Sequence, residues 1–210
     1  MQRVLEYFLK ACFRKDLQED VWLNGMPVPR RLHQEDFAQA LGIAAANKYE
    51  KNNEGYQKKL FDVIRAHSAD PMTDSLKLWD ICVFNYLIGN TDNHIKNLSL
   101  LYSEDLKRVR LAPAYDIVST MIYQSSTENM ALSIDGICNI NEITRASFEK
   151  TASQVGIGPK MAMKRFDAMV NGFEAAINQA KEELKSQGFD HVEQICDMIM
   201  KKGGIRKELL

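Results

Sequence analysis

The sequence predicts a mainly α, α+β protein: a helical bundle that carries one small β-hairpin. Three observations predict it. Apolar residues recur at three- and four-residue spacing along most of the chain. The stretch 76–88 is apolar on nearly every side and stops at Gly89, as a helix buried in the middle of a domain does. A strand, turn, strand pattern covers 98–112. With 210 residues, 45% hydrophobic and 9% aromatic, the chain can build such a core without disulfides or metals.

In chain order, Val4, Leu5, Phe8, Leu9, Cys12 and Phe13 give a helix to about Asp16. Leu23 to Pro29 holds a glycine and two prolines, which predicts a break in regular structure. A short helix is expected from Gln34 to Leu41, stopped by Gly42, and another from Tyr56 to about His67. The next opens at Pro71-Met72-Thr73-Asp74, where Thr73 or Asp74 can cap the orphan amides, and ends at Gly89. It delivers the polar run Asn90-Thr91-Asp92-Asn93-His94-Ile95-Lys96-Asn97 from a rigid buried element, a good platform for chemistry. Leu98–Tyr102 and Arg108–Ala112 then read as two strands about a turn. A hairpin brings the chain back, so Asn97 before it and Asp116 after it should be neighbours. Met130–Gly136 reads as a further strand and turn. Thr144 caps a helix ending near Gly156, and Pro159 opens a long one. Its stripe Met163, Phe166, Val170, Phe173, Ile177, Ala180, Leu184 fits a coiled coil, but at three heptads it fits a bundle better. A final helix from about Asp190 to Lys201 adds Val192, Ile195, Cys196 and Ile199 to the core.

Composition excludes several function classes. Lys+Arg number 27 against 28 Asp+Glu, a formal charge of −1, which argues against non-specific nucleic-acid binding. Nothing approaches the ~20 uninterrupted apolar residues of a spanning helix, and the first residues do not resemble a signal peptide, so no membrane and a cytoplasmic setting are expected. Cys12, Cys82, Cys138 and Cys196 are far apart without a Cys-x-x-Cys pair, which predicts buried thiols.

Asp92-x-x-x-x-Asn97, a hairpin, then Asp116 has the grammar of kinase phosphoryl transfer. There an aspartate accepts the acceptor hydroxyl's proton, while an asparagine five residues on and a second aspartate hold magnesium. Magnesium takes oxygen ligands in tight octahedral geometry, usually one or two carboxylates plus phosphates and water. Asn97 and Asp116 meet that need and leave Asp92 to orient the hydroxyl. Lys96 is placed to neutralise the moving phosphoryl group, and His94 to fix the loop or touch phosphates. By pattern alone the same residues also make a solvated turn in which Asp92, Asn93 and Asn97 cap backbone amides. A transition-metal site of Asp92, His94 and Asp116 has one soft ligand, and a Ser99-His94-Asp116 triad lacks the glycines of a nucleophile elbow.

Three blocks go further: Arg31-Leu32-His33-Gln34-Glu35-Asp36-Phe37 through Lys48-Tyr49-Glu50, Leu87-Ile88-Gly89-Asn90-Thr91-Asp92-Asn93-His94-Ile95-Lys96-Asn97, and Leu111-Ala112-Pro113-Ala114-Tyr115-Asp116-Ile117-Val118-Ser119. In this order they resemble the C-terminal kinase lobe of the HipA-like toxins, bacterial serine/threonine protein kinases. The likeness covers 29–210 and leaves 1–28 outside it. The resemblance implies a kinase-like fold with a mostly helical larger lobe, ATP and Mg2+ as cofactors, and a protein substrate. It also implies roles: Asp92 as catalytic base with Lys96 beside it, Asn97 and Asp116 as metal ligands, and His94, Gln34 and Tyr115 in the nucleotide environment.

A complete family member carries, before the first block, a smaller lobe with a phosphate-covering loop and an ATP-pairing lysine. Residues 1–28 show no glycine-rich loop, and Lys10 or Lys15 on an expected helix is a poor substitute. The chain is therefore expected to be a lobe without its lid, working with a separate N-terminal lobe and an antitoxin protein. Two other readings stand beside it: a non-catalytic module binding a HipA-like partner, and a lipid-kinase-like enzyme, whose catalytic loop also places a histidine two residues after the aspartate. No helix-turn-helix is evident, so direct nucleic-acid contact is not expected.

Overall fold

A computed structural model describes residues 21–23, 26–28, 32–51 and 54–204. The expected helix to Asp16 and Cys12 lie outside them. Two short strands, β1 (Val21–Leu23) and β2 (Met26–Val28), pair antiparallel with Leu23 opposite Met26. This corrects the expected break at Leu23–Pro29. The sequence signal was Asn24-Gly25 between them, a dipeptide that favours two-residue hairpin loops and outweighs the prolines.

The site-bearing sheet has the order β3-β4-β5, with β3 (Gln34–Asp36), β4 (Ser99–Tyr102) and β5 (Val109–Leu111) all antiparallel. Gln34–Asp36 is thus strand where a helix was expected. Helix α1 covers only Phe37–Ala40, because Asp36 and Gln39 form a capping box that starts the helix after the strand. Helix α2 runs Tyr56–His67, as the periodicity predicts.

Helix α3, Pro71–Ile88, is the central post. Its N-cap is neither Thr73 nor Asp74 but Asp70, whose side chain accepts from the Thr73 N–H at 3.2 Å. Asp74 has a different task. Fully buried, it accepts from Arg110 Nε and Nη2 at 3.0 and 3.1 Å, from Ser68 Oγ at 2.6 Å and from the Leu111 N–H at 2.9 Å, tying α3 to β5. Burial pushes its carboxyl up, yet these donors together hold it below the ordinary range. At Gly89 the chain turns left-handed, φ 69°, and α3 ends.

After β6 (Asn129–Ile134), Asp135 and Gly136 both have positive φ and turn the chain into β7 (Ile137–Asn139), a strand the sequence reading lacked. Helix α4, Arg145–Gln154, is capped by Thr144 as expected. Helix α5, Pro159–Ser186, packs on α3 and α4, and α6, Val192–Lys202, packs on α5. The long stripe is buried to Phe173, half-buried at Ile177 and exposed at Leu184, so it serves a bundle along only part of its length. Ile195 is exposed and Cys138 half-buried, against expectation, whereas Cys82 and Cys196 are buried.

The core centres on Phe148, which meets Trp79, Tyr86 and Phe166 at ring distances of 5.9, 5.1 and 4.7 Å. The chain after α6 closes on the same post: Gly204 N–H donates to the Tyr86 carbonyl at 3.0 Å, and a Cβ on Gly203 would lie 2.2 Å from the Leu87 carbonyl. Only glycine admits that approach to the turn from which the polar loop departs. No helix among the described residues is long and apolar enough to cross a membrane.

Candidate active site

The polar run 90–97 leaves the buried end of α3 and is held by a dense set of hydrogen bonds. Asn90, 1% exposed, is the pivot. Its Nδ2 donates to Asn85 Oδ1 at 2.7 Å and to the Asp116 carbonyl at 3.2 Å, while its Oδ1 accepts from the Asp92 N–H at 3.2 Å. One buried amide therefore fixes the helix end, the loop and the segment after the hairpin. Thr91 is fixed similarly, its N–H donating to Thr120 Oγ1 at 2.8 Å and Thr120 Oγ1 donating to the Gly89 carbonyl at 3.1 Å.

The hairpin returns the chain beside its start. Ala112 N–H donates to the Ser99 carbonyl at 2.8 Å, and Tyr115 OH donates to the Lys96 carbonyl at 2.7 Å. Five residues after the end of β5, Asp116 adopts φ 55°, a left-handed backbone that aspartate tolerates but that few non-glycine residues adopt.

The candidate residues fall into two adjoining groups. In the first, the half-buried Asp92 accepts at Oδ1 from Tyr49 OH at 2.7 Å, and the Tyr49 ring stands edge-on to His94 at 5.4 Å. Burial first, then the charge of Lys48, lowers the proton affinity of His94, while Asp92 and Asp116 oppose the shift. Asn97 belongs to the same loop: its Nδ2 donates to the Asp92 carbonyl at 3.1 Å, leaving Oδ1 with no hydrogen bond among the described residues.

In the second group, Lys96 Nζ pairs with Asp36 Oδ2 at 2.6 Å, and Asp36 Oδ1 caps α1 through the Gln39 N–H at 2.9 Å. The ammonium that the sequence set against a phosphoryl group is engaged with a carboxylate. With its own hydrogen given to Lys96, the Tyr115 hydroxyl accepts from Ser99 Oγ at 2.7 Å. Burial pushes the Tyr115 phenol up, against hydrogen bonds from Ser99 and Gln34 that pull it down. Gln34 is exposed and reaches this second group through that hydroxyl.

The donors suit a hard cation. Asp116 is exposed and its carboxylate has no hydrogen bond or ion pair among the described residues, and the Asn97 amide oxygen is likewise unengaged. One carboxylate and one amide oxygen are what magnesium takes from a protein when phosphates complete its shell. Among the described residues no three His, Cys, Asp or Glu side chains gather as a softer metal would need.

Tyr49 is the residue that sequence reasoning passed over. It stood in a recognised block without a role, and only the fold brings it to Asp92, 43 positions on. The bond to Asp92, then burial, raises its phenol above the ordinary value of 10.0. The bond therefore stabilises the fold below the unfolded-state value near pH 10, and that stability is lost as pH rises through the raised one. Titrating phenolate absorbance in the wild type and in Asp92→Asn should show one tyrosine ionising at lower pH in the variant.

A cavity of about 600 Å³ lies elsewhere, between the end of α5 and α6, lined by Phe189, His191, Met198 and Lys201 among others.

The family model for the HipA-like C-terminal domain matches residues 13–177. The putative kinase Y4mE of Sinorhizobium fredii is 35% identical over 163 residues, covering 78% of this chain and 38% of that protein. The serine/threonine-protein kinase toxin HipA of Shewanella oneidensis is 28% identical over 138 residues, 61% of this chain and 31% of that protein. The chain thus spans under two fifths of the length of these curated relatives. Among solved structures, HipA of Shewanella oneidensis MR-1, in complex with HipB and operator DNA, matches with a TM-score of 0.73 at 23% identity. That match covers 90% of this chain and 46% of the other, and it shows the shared fold.

Proposed function

Because the chain belongs to the HipA-like C-terminal domain family, we propose that it is the catalytic-loop lobe of an ATP- and magnesium-dependent serine/threonine protein kinase. The observation that carries the reading is the Asn90 bridge, which locks the loop bearing Asp92 and Asn97 to the segment bearing Asp116. A solvated turn has no need of a buried amide to hold an aspartate on a distant segment.

In this reading the acceptor is a protein serine or threonine hydroxyl. Its oxygen attacks the γ-phosphorus of ATP, the bond from that phosphorus to the β–γ bridging oxygen breaks, and ADP leaves. The hydroxyl proton passes to Asp92, whose Oδ1 accepts from Tyr49, which leaves Oδ2 for the acceptor. Asn97 and Asp116 hold magnesium, which when bound neutralises charge on the phosphates. His94 and Tyr115 border the nucleotide, with Gln34 behind Tyr115. Lys96 acts through Asp36, fixing the loop to α1.

Positioning dominates phosphoryl transfer, so the other face of the nucleotide must be covered by a second lobe. The solved relative is a complex with HipB, which supports an antitoxin protein as a partner here too. The test is transfer of labelled γ-phosphate from ATP with magnesium to protein, with the chain alone and mixed with the N-terminal part of a HipA-like relative. Label on protein serine or threonine in the mixture supports the reading. Nucleotide binding without transfer in either sample favours a regulatory module instead.

A further inference from the structure

We propose that Lys48 is the cation this lobe sets beside the transferred phosphoryl group, and that it forms a phosphate-binding site together with the buried imidazole of His94. The inference deepens the kinase reading and rests on it for the identity of the ligand as a phosphate chain.

Lys96, the expected cation of the loop, is ion-paired with Asp36 at 2.6 Å and anchors α1. Lys48 is half-buried, and no carboxylate pairs with it among the described residues. Its ammonium stands 4.9 Å from the centroid of the Tyr49 ring, and the Tyr49 hydroxyl is 2.7 Å from Asp92 Oδ1. A positive charge therefore sits one phenol away from the assigned base.

His94 supplies the second observation. The residue is 7% exposed, and its Nδ1 is buried with no hydrogen-bond partner. A buried polar nitrogen without a partner calls for a ligand or a water to meet it. The same imidazole feels the charges of Lys48, Asp92 and Asp116. Two carboxylates beside one lysine disfavour a bare anion and suit a phosphate chain that brings magnesium with it.

The segment carrying Lys48 is built to stay in place. Its N–H donates to the Ala45 carbonyl at 3.3 Å, and Tyr56 OH donates to the Asn47 carbonyl at 2.9 Å. On the other side, the buried Glu50 carboxylate accepts from the N–H groups of Gly55, Tyr56 and Ser133 at 2.7, 3.2 and 2.8 Å. Lys48 and Tyr49 lie between two clamped residues, so the ammonium is presented by a rigid strap, as preorganised electrostatic stabilisation requires.

The probe is magnesium tripolyphosphate, titrated calorimetrically into the full chain at fixed ionic strength. Wild type binds; Lys48→Met weakens binding at least about tenfold, and Lys48→Arg restores it to within about threefold. Lys58→Met, an exposed lysine on α2 paired with Asp62, leaves binding unchanged, and thermal melts of all variants match wild type. Equal affinity in Lys48→Met, a loss in Lys96→Met without one in Lys48→Met, or no binding by wild type overturns the proposal. The kinase reading is judged separately. Lys48-dependent binding without transfer in any mixture sinks that reading and keeps this site, whereas transfer with unchanged Lys48→Met binding does the reverse.

Discussion

Asp92→Asn lowers phosphoryl transfer by about 10²- to 10⁴-fold, the usual contribution of a positioned general base, while the protein stays folded. The reason for choosing asparagine is local. Its side-chain oxygen still accepts from Tyr49 OH, and the backbone of residue 92 still bonds to Asn90 and Asn97, so the loop keeps its shape. What disappears is the negative charge proposed to take the acceptor's proton. Rates are compared in the labelled-ATP assay, and melting curves of both proteins are run beside them. Undiminished transfer in the variant would show that another group is the base.

Trp79→Ala acts through the fold instead. The side chain is fully buried, meets Phe148 edge-on at 5.9 Å, and its Nε1–H donates to the Ala162 carbonyl at 3.0 Å. Truncation opens a cavity between α3, α4 and α5 and removes the indole hydrogen bond that ties α3 to α5, at a cost of about 3–5 kcal/mol. Urea unfolding measures it. A loss under about 1 kcal/mol is what a surface position gives and would contradict the placement of Trp79 at the centre of the core.

The contrast between these residues shows what a sequence discloses. Trp79, Tyr86 and Phe166 announce themselves through periodicity, because a buried helix face needs apolar side chains at fixed spacing. The helices Tyr56–His67 and Pro71–Ile88 and the stop at Gly89 were legible for that reason and for their terminal chemistry. Gln34–Asp36 was misread as helix because strand pairing with Leu101, Leu100 and Ser99, some 65 positions away, overrides local preference. The capping pair Asp36 and Gln39 was the local sign of where the helix starts.

At the candidate site, spacing alone marks Asp92, Asn97 and Asp116 as candidates, since a loop and a hairpin convert sequence distance into proximity. Tyr49 and Lys48 were not. They come from a different segment, and only tertiary packing, with Glu50 bonded to β6 and to the start of α2, brings them to the loop. The partnership of Lys96 with Asp36 was hidden for the same reason: neither residue carries a local mark of the other.

The central claim is that this lobe holds the magnesium-bound phosphates of ATP, and calorimetric titration of the chain with ATP tests it most directly. The titration is run with and without magnesium, beside Asp116→Ala. The account predicts binding that requires magnesium and vanishes in the variant, because in the proposed site the exposed Asp116 carboxylate would be the metal's protein anion. Binding that is indifferent to magnesium, or equal in Asp116→Ala, would contradict it.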